Sequence, residues 1–274
     1  MMESDGITLA ALTAALAAAG LLAGLLAGLL GVGGGIVIVP VLFYLLPLVG
    51  VDDSVSMHTA VGTSLASIVV TSFYSARAHY RRGVVDVGLL RTWGPFIGLG
   101  ALIGTAVAGA VQGAFLTGFF GVFAFAVAVQ MLLSPEVSRF RLNLPAGWAR
   151  ALTAALIGAV SSMLGIGGGT LSVPILSACG YPMIRAVGTA AAFGAAIALP
   201  GAIGFAVSGW NAPSLPPFSL GYVNLLSFAV IVPMTMTAAP WGARLAHTAS
   251  PQVLKRVFAV FLLLTAMRML ARLF

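Results

Sequence analysis

Gly31-Val-Gly-Gly-Gly-Ile-Val-Ile-Val-Pro-Val-Leu42 returns later in the chain as Gly165-Ile-Gly-Gly-Gly-Thr-Leu-Ser-Val-Pro-Ile-Leu176. Other pairs follow in the same order. Ala60-Val-Gly-Thr63 matches Ala186-Val-Gly-Thr189, and Pro95 and Gly104 match Pro233 and Gly242. Leu116, Phe120, Val122, Phe123 and Met131 match Leu254, Phe258, Val260, Phe261 and Met269, with one shift of register after the glycine motif. Chance resemblance between helices rich in Ala, Gly and Leu explains any single match, but not the ordered set. The chain reads as written twice.

Composition says where the two copies live. Of 274 residues, 60% are hydrophobic and only 7% charged, against roughly 25% charged in soluble domains. Mean hydropathy is +1.10. Six acids and thirteen bases cannot clothe a soluble surface, and so apolar a chain does not stay a solvated coil. Charge is missing from 6–51, 54–76, 92–135, 151–184 and 186–243. A membrane helix takes about 20 residues, so several runs hold two helices. The breaks fall at Gly31–Gly35, Gln112-Gly113, Gly165–Gly169 and the loop around Trp210-Asn211-Ala212-Pro213, and a last helix runs from Pro251 to Phe274. The fold expected is an all-α polytopic membrane protein. Met1–Gly6 lacks the basic start of a cleaved signal, and the lone Cys179 excludes a disulfide framework within the chain.

Arg and Lys mark the cytoplasmic side. They gather at Arg77–Arg91, at Arg139–Arg150, at Arg185 and at Arg244–Arg256, leaving only Arg268 and Arg272 for the other face. Asp52-Asp53, the uncharged loop Ser208–Ser219 and both termini then lie outside the cytoplasm. The net charge of +7 is thereby topological, with no basic tract for nucleic acid. The loop after the third segment is Arg-rich in the first half and uncharged in the second, so matching loops lie on opposite sides. That is an inverted-topology repeat, with residues 1–133 and 148–274 as the two repeats and 134–147 as a cytoplasmic linker. An odd number of crossings per half is required. Five segments satisfy it, and so do three full spans with a re-entrant pair at the glycine motif; both stand open.

Non-helical backbone survives at membrane depth only inside protein or beside water. A glycine run lets successive N–H groups turn to one point, and the helix behind it adds a partial positive charge. Together they suit an anion. Gly33, Gly34 and Gly35 with Gly167, Gly168 and Gly169 are therefore the candidate substrate site, with Pro40 and Pro174 expected where a missing N–H matters least. The alternative is that these glycines only let helices pack closely. Thr63, Ser64 and Thr189 offer hydroxyls to the same anion, or bond back to their own helices. Arg185 at a helix start is either a substrate-attracting charge or a topological one. All six acids, Glu3, Asp5, Asp52, Asp53, Asp86 and Glu136, fall at termini or loops, so no carboxylate is set to bind a cation in the membrane. Proton coupling, if present, falls to His58, His79 or His247, or to a weak-acid substrate carrying its own proton. Trp93, Trp148, Trp210 and Trp241 are expected in an interfacial belt. No nucleophile elbow, zinc-protease motif or paired membrane aspartates appear, so an enzyme is not expected, nor a metal or cofactor.

At these motifs the chain resembles the sulfite exporter TauE/SafE family. The likeness rests on Gly31–Leu42 and Gly165–Leu176, on Ala60-Val-Gly-Thr-Ser64 and Ala186-Val-Gly-Thr-Ala190, and on Pro240-Trp-Gly-Ala-Arg-Leu245, and it extends from Leu9 to Leu273. It implies outward transport of small sulfur-containing anions such as sulfite or organosulfonates across a bacterial plasma membrane. Ala190 stands where the first copy has Ser64, so a two-fold site loses one hydroxyl there. A channel, or a carrier for another small anion such as a carboxylate, remains the alternative. The partners expected are the anion, with or without protons, and the bilayer; oligomeric state is open.

Overall fold

The computed structural model describes residues 2–30, 34–133, 144–245 and 251–273. Among these residues the chain forms ten α-helices and one short hairpin. The first half holds α1 (Met2–Leu30), α2 (Gly35–Leu45), α3 (Asp53–Arg81), α4 (Val87–Ala110) and α5 (Gly113–Leu133). The second holds α6 (Gly147–Leu164), α7 (Gly169–Ala178), α8 (Met183–Ser208), α9 (Leu225–Leu245) and α10 (Pro251–Ala271). Between α8 and α9, β1 (Ser219–Leu220) and β2 (Val223–Asn224) pair antiparallel within the loop expected from the sequence.

Six described helices are long and apolar enough to cross a bilayer. The chain is a polytopic membrane protein. In contrast α2 and α7 have 11 and 10 residues. At 1.5 Å per residue each reaches about 16 Å, half of a hydrocarbon core about 30 Å thick.

Helix starts are set by short polar side chains. Asp52 accepts the Ser54 N–H at 2.8 Å before α3, and Asp86 accepts the Leu89 N–H at 2.8 Å before α4. Asn224 accepts the Ser227 N–H at 2.8 Å before α9. Each oxygen satisfies one of the donors a helix start leaves over. Pro40 and Pro174 are each the sixth residue of their helix, one turn in but past the orphan donors of the first turn. At that depth the missing N–H removes the donor that the carbonyl four residues earlier would take, at Ile36 and Thr170.

Glycine against carbonyl organises the packing. On α4 and α6, a Cβ at Gly158 would strike the Ile97 carbonyl, and one at Gly104 the Ala159 carbonyl. On α1 and α9, a Cβ at Gly24 would strike the Thr235 carbonyl, and one at Gly242 the Leu25 carbonyl. Gly24 and Gly158 are separated as Gly31 and Gly165 are, and Gly104 and Gly242 as Pro95 and Pro233 are, so corresponding residues make both crossings. Contacts ascend together along each of these pairs, which therefore run in one direction. Along α3 and α8 they run oppositely, Gly62 meeting Phe205 and Gly194 meeting Ser72. The same holds for α5 and α10, where Gly118 meets Leu273 and Gly121 meets Leu270. Close approach of small residues supplies dispersion contact that lipid cannot replace.

Trp93 departs from the interfacial belt. It is 1% exposed and stacks on Phe193 at 6.3 Å between ring centres. Trp148, Trp210 and Trp241 are exposed as a belt requires.

These crossings predict that Gly158→Ala lowers the melting temperature of the purified protein, because its methyl meets backbone that cannot move aside. The cost expected is about 1–3 kcal/mol. Gly98→Ala, whose methyl would lie 3.6 Å from the Ala196 carbonyl, leaves the melt unchanged. Equal melts for both variants contradict the crossing.

Candidate functional site

The two glycine motifs converge at the middle of the chain's packing. Gly35, the first residue of α2, lies against the Gly165 carbonyl, where a Cβ would collide. Ser64 on α3 donates to that carbonyl at 2.7 Å. A Cβ on Gly165 would stand 2.8 Å from Val39 Cγ2 and 3.0 Å from Val61 Cα. Gly165 ends α6 at φ +65, a left-handed turn that favours glycine. Gly168 packs on α8, where a Cβ would come 2.5 Å from the Ala190 carbonyl and 2.7 Å from the Gly194 nitrogen. Gly34 is less confined, its nearest neighbour being Ala23 Cβ at 3.3 Å. Gly34 and Gly168 have φ of −69 and −61, so close approach rather than handedness calls for glycine there.

Neither α2 nor α7 has a capping side chain. Their first residues are buried, Gly34 and Gly35 in one motif and Gly167, Gly168 and Gly169 in the other. First-turn N–H groups are orphan donors, and here two sets lie in protein interior near one another. Gly33 lies outside the described residues.

The remaining candidates fall in different places. Thr63 accepts the Asn224 N–H at 2.9 Å, and Thr189 accepts the Asp86 N–H at 3.0 Å. Corresponding threonines thus fasten the starts of α9 and α4, which corresponding Asn and Asp residues cap. Ser64 spends its proton on Gly165. Arg185 is exposed at the start of α8, more than a turn before Ala190, and it stands by Asp86. The structure brings Gly35 and Ser64 to Gly165 at the break before α7, whose Gly168 packs on α8; Arg185 is set apart at the bundle end.

Among the described residues, four buried hydroxyls, on Tyr44, Thr59, Ser161 and Ser172, have no hydrogen-bond partner. Ser161 and Ser172 flank the second motif, four residues before Gly165 and three after Gly169. A hydroxyl on each side of a helix break, in otherwise apolar sequence, was a readable signal for them. Two cavities are described, of about 540 and 240 Å³, and neither is lined by a motif glycine. Among the described residues no cluster of His, Cys, Asp or Glu suits a metal ion.

At the Arg-rich end, Tyr181 donates to Asp86 Oδ2 at 2.9 Å. The Leu89 N–H holds the Asp86 carboxyl below its ordinary range, helped by the Tyr181 hydroxyl and the Arg185 charge and opposed by partial burial. Burial and the facing carboxylate push the Tyr181 phenol up.

Comparison with known proteins agrees with this architecture. The family model described as Sulfite exporter TauE/SafE matches residues 16–269. A probable membrane transporter protein of Haemophilus influenzae is 36% identical over 239 residues, covering 87% of this chain and 90% of its own. One from Methanocaldococcus jannaschii is 24% identical over 231 residues, covering 82% and 83%. Another from Bacillus subtilis is 25% identical over 256 residues, covering 86% and 89%. No solved structure matches significantly. The chain belongs to the TauE/SafE family of membrane transport proteins.

Asp86 yields a prediction. A carboxyl whose value is depressed by folding stabilises the fold at neutral pH, and that contribution is lost as pH falls through the folded value. The wild-type melting temperature should fall more steeply than that of Asp86→Asn between about pH 5 and pH 3, around and below the usual carboxylate value. Asn caps α9 at the corresponding place, so the variant keeps its cap. Parallel melting curves across that range contradict the role given to Asp86.

Proposed function

We propose that this member of the TauE/SafE family is a secondary transporter, an exporter of small sulfur-containing oxyanions such as sulfite or organosulfonates. The anion binds near the midplane between the starts of α2 and α7. The observation that carries this reading is the contact of the buried, uncapped start of α2 at Gly35 with the α6–α7 break at Gly165, four residues before α7 begins, itself buried and uncapped. Fixed N–H donors and two helix dipoles attract an anion without a buried cation. Gly33 to Gly35, Gly167 to Gly169 and the neighbouring Ser161 and Ser172 hydroxyls supply the donors.

Residues 1–133 and 148–274 form the inverted repeats, joined by 134–147, with α2 and α7 as re-entrant half-helices. Antiparallel packing of α3 on α8 and of α5 on α10 supports the inversion, because an in-plane two-fold turns each helix against its own copy. The Arg-rich end carrying Asp86 and Arg185 is cytoplasmic by charge bias, in a bacterial inner membrane with both termini outside. The tight contact of Gly35 with Gly165 suits a closed form, from which rocking of one repeat against the other opens the junction to each side in turn.

Flux in proteoliposomes tests the site. Wild-type protein should move a labelled sulfonate or sulfite down its gradient, and Gly34→Val and Gly168→Val should abolish that movement while the protein remains membrane-inserted. Normal flux in both variants overturns the glycine site. Single-channel currents in place of carrier turnover point to the channel alternative.

A further inference from the structure

His58 sits five residues into α3 and is 4% exposed. Its Nε2 lies 3.0 Å from the Ala108 carbonyl and 3.2 Å from that of Val111, at the end of α4. Carbonyls only accept, so Nε2 carries the proton in the neutral ring and Nδ1 is left with a lone pair. That Nδ1 is buried and has no partner. The ring stacks on Tyr222 of the hairpin at 4.8 Å. The negative end of α4 lies at one nitrogen, and the aromatic face of Tyr222 covers the ring.

His58 also lines the cavity of about 540 Å³, together with Asp53, Gln112, Gly113, Tyr222 and Arg272. The charged or titratable groups facing it are few. Asp53 comes from its own helix, Arg272 from the end of α10 and Tyr222 from the hairpin; α4, α5 and their turn bring carbonyls, Gln112 and Thr117. Arg272 Nη2 donates to Asp53 Oδ1 at 2.7 Å, and its guanidinium lies over the Phe43 ring at 5.0 Å. With neutral His58 the described residues lining the cavity therefore carry no net charge. One proton on Nδ1 makes it +1, the charge that a monovalent anion balances. The Ser54 backbone, one turn back on α3, faces the ring, so its carbonyl can accept from the new N–H.

We propose that His58 is a protonation site that loads this cavity: a proton taken on Nδ1 admits one small anion beside Arg272. The step forms one N–H bond from a proton of the water side and breaks none in the protein. It rests on the anion-transporter reading and adds a proton partner and an entry site to it. The site is mechanically connected to the glycine junction. Val61 on the same helix touches Gly165, Gly62 abuts the Tyr222 carbonyl, and Thr63 holds the Asn224 N–H two residues beyond the stacked tyrosine.

Methanesulfonate, a strong-acid anion that does not titrate near neutrality, is the probe, applied to the purified full chain. Histidine ring resonances, assigned against His79→Gln and His247→Gln, should show His58 titrating between about pH 5 and pH 8, with its midpoint raised by saturating methanesulfonate. Binding should weaken about tenfold per pH unit above that midpoint, as linkage to one proton requires. His58→Gln keeps an amide donor for the Ala108 and Val111 carbonyls but cannot titrate, so it should lose the slope. Arg272→Gln should weaken binding at every pH while keeping the slope. An unchanged slope in His58→Gln, or a His58 ring that does not titrate in that range, overturns the proton site and leaves the anion reading standing. Failure of methanesulfonate, sulfate and chloride to bind at any pH overturns this proposal, and combined with absent flux it overturns the transporter reading too.

Discussion

A backbone N–H in hydrocarbon has no water to turn to, and each one left unpaired costs several kcal/mol. That constraint governs α2 and α7, which begin inside the protein with no capping side chain. Long helices on either side of them can meet the rule by themselves. The half-helices cannot, and they are tolerated only because α3, α6 and α8 wrap their starts in protein. The proline in each half-helix adds to the same debt by withholding a further donor one turn in. Two such starts, at Gly35 and Gly169, lie buried at matching points of the sequence, and neither is capped by a side chain.

Holding such a centre together requires rigid, close surroundings. The pairs α1 with α9 and α4 with α6 provide them, each through glycines seated on carbonyls of the neighbouring helix. Side chains are too long to permit that approach, which explains glycine at Gly24, Gly104, Gly158 and Gly242. The corresponding threonines Thr63 and Thr189 then pin the starts of α9 and α4 to α3 and α8. The same kind of joint occurs at opposite ends of the bundle. One end differs in its chemistry: Asp86 with Tyr181 and Arg185 at the Arg-rich face, Asn224 at the other.

Much of this was legible in the sequence. Scarcity of charge required a membrane fold, and the repeated glycine–proline motif located both breaks and the candidate site. Gly35 and Ser64 meet Gly165, while Gly168 packs on α8. What escaped it depended on partners far along the chain. Thr63 and Thr189 looked like ligands for an anion, yet their partners are amides more than a hundred residues distant, invisible to local spacing. Trp93 looked interfacial from its place near a helix start, but its burial is decided by Phe193 on another helix. His58 was offered for proton coupling from its chemistry alone; its burial depends on α4, α5 and the hairpin closing around it.

The central claim is that paired, uncapped helix starts hold an anion where the chain has no cation. Thermal stabilisation of the purified protein across sulfite, sulfate, sulfonates and carboxylates measures this directly, since a ligand bound only by the folded state raises the melting temperature with its concentration. Binding at the glycine junction predicts a concentration-dependent rise for at least one sulfur oxyanion, absent in Gly168→Val. No rise with any anion, or an equal rise in that variant, contradicts it.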